Sequence, residues 1–89
     1  MNNVGIFLLK RITSEGMEIL AAYHWFPNVL SIATKEKDER AIIQIVAVRA
    51  DWNDANDSQR QIYERRWVEN DKRWVETWFD RSYKPEQKI

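Results

Sequence analysis

A seven-residue repeat near the C-terminus constrains this 89-residue chain more than any other feature. Arg66-Trp67-Val68-Glu69 recurs as Arg73-Trp74-Val75-Glu76 inside the stretch Arg65 to Phe79. A period of seven returns an α-helix to nearly the same face, so the spacing predicts an amphipathic helix over about residues 57–82. On a wheel of ~100° per residue starting at Ile62, Tyr63, Trp74, Trp67 and Trp78 form an aromatic ridge between about 100° and 160°. Val75, Val68 and Phe79 form a second ridge at about 220–260°. Arg66 and Arg73 flank the aromatic ridge, and Glu64 and Asp71 fall between the two. An ionised carboxylate is not buried without a partner. Asp71 follows Trp67 by four residues and precedes Trp74 by three, so it either looks into water along a groove or receives an indole N–H or a partner's basic group.

Upstream of the helix the pattern is that of a sheet. Val4 to Leu9 is a short apolar run, read as a strand over about 4–12. Ser14-Glu15-Gly16 has the form of a three-residue hairpin loop, so a second strand over about 17–26 should return antiparallel. The alternative makes residues 14–26 a helix. Pro27-Asn28 reads as a turn, since the residue before proline is pushed away from helix. Val29 to Thr34 reads as a third strand, over about 29–35, and Lys35 to Arg40 as a charged reversal. Ala41 to Val48 is β-branched and apolar on both sides, which predicts a fourth strand over about 41–50. Asp51 to Asp57 suits the positive end of a helix dipole, and Ser58 with Gln61 has capping-box spacing. Residues 84–89 read as a loose tail.

Composition narrows the chemistry. Fourteen basic and fourteen acidic side chains cancel, which gives no electrostatic case for nucleic acid or an anionic membrane. There is no cysteine, so no disulfide, thiolate nucleophile or cysteine-type zinc site is available. The start, Met1-Asn2-Asn3-Val4, lacks a signal peptide's pattern, and no apolar run approaches the ~20 residues of a membrane span, so a cytoplasmic protein is expected. The acidic run from Asp51 fails as a calcium loop, because Ala55, Asn56 and Ile62 stand where an oxygen ligand, glycine and glutamate are needed. His24 is the only histidine, and none of the serines sits in a nucleophile-elbow context. With glycine only at positions 5 and 16, there is no phosphate-binding loop.

These observations predict an α+β single domain: a four-stranded antiparallel β-meander with one long C-terminal amphipathic helix, or alternatively β-α-β-β-α. A helix from Ser58 to Tyr83 would be about 39 Å long. A compact domain of this size has a radius of gyration of only about 12 Å. That mismatch, a sheet apolar on both faces and five tryptophans together predict a non-enzymatic protein-binding module. It would act as an inhibitor or adaptor and self-associate as a homodimer. The expected partner-binding residues are Tyr63, Trp67, Asp71, Trp74, Trp78, Arg66 and Arg73, with no catalytic, cofactor or metal site. The competing expectation is nucleic-acid binding through Arg65, Arg66, Lys72 and Arg73 with Trp67 and Trp74.

Overall fold

The computed structural model describes residues 4–49 and 59–85. In chain order these form β1 (Val4–Thr13), β2 (Gly16–Tyr23), α1 (Phe26–Ala33), β3 (Ile42–Arg49), β4 (Gln59–Val68), β5 (Arg73–Trp78) and a 3₁₀ turn over Arg81–Tyr83. The strands make one antiparallel sheet in the order β2-β1-β3-β4-β5. Asp51 to Asp57 and the capping residue Ser58 lie outside the described residues, as do residues 1–3, 50 and 86–89.

The four-stranded meander with a long C-terminal helix is not the architecture. Residues 59–78 form a hairpin, in which Trp67 stands directly opposite Trp74 and Arg66 opposite Val75. Glu69 to Lys72 make the turn: Asp71 N–H donates to the Val68 carbonyl, and Lys72 takes a positive φ of 52°. Asn70 and Asp71 are good turn formers, and tyrosine, tryptophan, valine and threonine favour strands. Local preference therefore overrides a periodicity that a helix would also satisfy. The residues expected as a third strand are instead α1. Phe26, Val29 and Ala33 lie at helical spacing and are its buried side, while Pro27 occupies the first turn, where a missing N–H costs nothing. The alternative with residues 14–26 helical also fails, since β2 covers most of that span.

The first hairpin turns tightly. Thr13 pairs with Gly16, leaving Ser14 and Glu15 as the loop, and Gly16 takes φ 134°, where a side chain would be strained. β2 and β3 run parallel to each other with β1 between them, so the chain must cross one face to connect them. α1 makes that crossing and packs on β1, β2 and β3.

The main core lies on the face that α1 covers. Phe7 and Leu9 of β1, Ile43, Ile45 and Ala47 of β3, and Ile62 and Tyr63 of β4 are buried there with the inner side of α1. Ile62 is an extra residue in β4, since Ile45 pairs with Tyr63 and Val46 with Gln61. Such a bulge lets two successive side chains enter one core. The 3₁₀ turn carries Tyr83 back to Phe7 and Phe26, at ring distances of 5.5 and 5.2 Å. The molecule is only 18 Å across its thinnest dimension, as one sheet with one partial layer requires.

Phe26 is 6% exposed, and its neighbour Trp25 is 67% exposed. Phe26→Ala should therefore cost about 3–5 kcal/mol in urea denaturation. Trp25→Ala should cost under about 0.5 kcal/mol.

Candidate functional site

The far end of the β4–β5 hairpin extends the covered face beyond the reach of α1. Side chains of one strand alternate between faces, and cross-strand partners share one. Tyr63, Arg65 and Trp67 of β4 therefore face the same way as Trp78, Glu76 and Trp74 of β5. The Trp67 and Trp74 rings meet edge to face at 5.7 Å. The Arg65 guanidinium lies over the Trp74 indole, 4.0 Å from its centroid. A cation against an aromatic face is attracted by the ring quadrupole.

Arg65 is held there by a relay from β1. Arg11 donates to Glu36 and Asp38, each at 2.7 Å, and pairs with Glu18 at 3.3 Å. Glu36 and Asp38 belong to the loop between α1 and β3, so Arg11 fixes that loop on the sheet. The backbone carbonyl of Glu36 then accepts from Arg65 Nη1 at 2.8 Å. Bonds to Glu36 hold Arg11 above its ordinary pKa, and bonds from Arg40 hold Asp38 below the usual carboxylate range.

The turn and the buried end are pinned as well. Trp67 Nε1–H donates to Glu69 at 2.7 Å, and Lys72 reaches the same carboxylate at 2.5 Å. Lys72 and then Trp67 lower the Glu69 pKa. Tyr63 is fully buried and donates its hydroxyl to Glu76 at 2.5 Å. Burial first, and then that bond, push the phenol well above its ordinary pKa.

The seven residues expected to bind a partner are thus divided. Tyr63 belongs to the core, and Trp78 is half-buried against it, 4.7 Å from the Tyr63 ring and 5.9 Å from Phe26. Trp67 and Trp74 are half-buried and adjacent. Arg66 and Arg73 project from the opposite face, Arg66 pairing with Glu64 at 2.9 Å and Arg73 with Asp71 at 3.9 Å. Asp71 sits in the exposed turn. Arg65, Arg66, Lys72 and Arg73 therefore do not form one cationic surface. The Arg11–Glu36 link to Arg65 joins residues distant in sequence, and no local pattern marks it. Arg65 itself is findable once β4 is read as a strand, because it lies two residues from Trp67.

No protein-family model, no curated protein and no solved structure matches this chain. Among the described residues, no helix is long and apolar enough to cross a membrane, and no group of three His, Asp or Glu side chains is placed to hold a metal ion.

Two titrations follow. Asp38 and Glu69 have depressed folded-state pKa values, so their contribution to stability is present above the unfolded carboxylate pKa. It is lost as pH falls below about 4. Urea midpoints measured from neutral to acid pH should fall there, and Asp38→Asn should flatten part of the fall. Tyr63 has the opposite sign: its contribution is complete below the ordinary tyrosine value of about 10 and lost above it. In an alkaline absorbance titration, the phenolate signal that Tyr63→Phe removes should coincide with loss of the folded circular-dichroism signal.

Proposed function

We propose that this chain is a small non-enzymatic protein-binding module. It occupies a surface of a larger protein, as an inhibitor or adaptor, through the Trp67–Trp74 end of the β4–β5 hairpin. The observation that carries this reading is the stack Arg65–Trp74–Trp67, positioned before any partner arrives. Tryptophan and arginine are the residues that most often anchor protein interfaces. Side chains already fixed by Glu36 and Glu69 lose little rotamer freedom on binding. Arg65, Glu69, Lys72 and Glu76 around the rings are of mixed sign. The partner surface that fits is therefore apolar with a mixed polar rim.

The test uses the immobilised chain as bait for native proteins. Trp67→Ala/Trp74→Ala should weaken capture of a specific protein by about tenfold or more, the loss expected of an interface anchor. Urea denaturation of the same variant establishes that it is folded. Equal capture by the folded double variant would exclude this end of the hairpin as the binding surface.

A further inference from the structure

β2 is an open margin of the sheet: β1 pairs with one side of it, and no described element pairs with the other. Sheet edges are ordinarily guarded by lysine, by proline or by being short. β2 runs for eight residues with neither lysine nor proline, and Glu18 is its one charged side chain. Met17 and Ile19 are each 54% exposed. The turn sets the direction of the backbone groups. Thr13 and Gly16 flank a two-residue loop and are therefore a hydrogen-bonded pair. Such pairs alternate along an antiparallel ladder, so Glu18 bonds back to Arg11, while the N–H and C=O of Met17 and Ile19 point away from β1. The side chains of these two residues stand on the face opposite α1. Met17 lies beside Ile12, and Ile19 beside the stem of Lys10, whose ammonium turns away to Gln59 at 2.8 Å.

Glu18 stands between them on the other face. Arg11 is its one partner among the described residues, at 3.3 Å, and that guanidinium is held more closely by Glu36 and Asp38, each at 2.7 Å. Arg11 approaches from the β1 side, and the Glu18 side chain remains 61% exposed. The outer side of β2 thus presents an apolar, an anionic and an apolar residue in succession, with two N–H and two C=O groups aimed outward.

We propose that residues 16–19 accept an extended segment of another protein as an added antiparallel strand, one that carries a lysine or arginine between two apolar residues. The two apolar residues pair with Met17 and Ile19, and their backbone groups meet the outward N–H and C=O groups. The basic residue falls directly opposite Glu18, with Cβ atoms about 4.5–5.5 Å apart, where opposite charges stabilise the pair. Strand addition takes its affinity from the backbone and its selectivity from alternate side chains. The accepted segment is short, because the register of the ladder shifts beyond Ile19. Charge also discriminates against a second copy of this chain. Laid antiparallel on this margin, it engages both Met17 and Ile19 only by setting Glu18 against Glu18, and like charges directly opposite are destabilising. Trp67 and Trp74 lie on the hairpin at the other side of the sheet, so the two surfaces are separate.

The probe is the end-blocked peptide Thr-Ile-Lys-Val-Thr, with Thr-Ile-Glu-Val-Thr as its charge-reversed control. Added to the isotope-labelled chain, the lysine peptide should shift the amide resonances of Met17 and Ile19 and slow their hydrogen exchange, with a Kd on the order of 1 mM for so short a strand. The glutamate peptide should bind about fivefold more weakly. Glu18→Lys should reverse that preference. Ile19→Pro removes an N–H that lies outside the ladder, where an edge strand tolerates proline, and should abolish the shifts at Met17 while the chain stays folded. Trp67→Ala/Trp74→Ala should bind the peptide as the wild type does, which separates this inference from the binding role of the hairpin. Unmoved Met17 and Ile19 amides at about 5 mM peptide, several times the expected Kd, would overturn the proposal. So would equal binding of the two peptides, unchanged binding by folded Ile19→Pro, or twice the chain mass in light scattering with these amides already protected by a second copy.

Discussion

Phe26 is the contact on which the arrangement closes. It meets Phe7 at 5.4 Å, Tyr83 at 5.2 Å and Trp78 at 5.9 Å. Through that one ring, the crossing helix, the centre of the sheet, the second hairpin and the C-terminal turn share a core. Edge-on and tilted aromatic contacts add modestly to the area they bury, and their geometry fixes how α1 is seated. With α1 seated, the loop after it falls beside β1, where Arg11 holds Glu36 and Asp38. Arg65 finds its carbonyl partner there, and Trp74 finds its cation. The candidate site thus depends on a ring that does not touch it.

The Arg-Trp-Val-Glu repeat illustrates why period alone does not choose a structure. Seven residues bring a helix back to one face. They also bring two strand residues opposite each other when a turn reverses the chain midway. The acids decide between the two. On a helical wheel, Glu64 and Asp71 interrupt the apolar face with no partner in view. On a strand, Glu64 lies on the face opposite Tyr63, beside Gln44 and Arg66, and Asp71 falls in the turn. The same reasoning applies to Phe26, Val29 and Ala33, whose helical spacing outweighs the strand preference of valine and isoleucine. The β-branched run Ile42 to Val48 is legible without such arbitration, because its propensity and its burial agree.

Of the candidate site, the pairing of Trp67 with Trp74 follows from the turn at Asn70-Asp71 once that turn is recognised. The stacking of Arg65 follows from strand alternation. The support from Arg11 does not follow from either. Its partners lie 25 and 27 residues away, in a loop whose charges read locally as a solvated tip. Only the crossing of α1 brings that loop under β1. Arg66 and Arg73, grouped with the tryptophans by sequence position, are carried to the other side by the same alternation that gathers the rings.

One irregularity bears on how such an open sheet meets its surroundings. Leu20 is an unpaired extra residue in β2, since Leu9 pairs with Ala21 and Lys10 with Ile19. An incoming strand laid along that margin would match the ladder on one side of Leu20 and fall out of step on the other. Growth of the sheet sideways into a ribbon is interrupted at that rim.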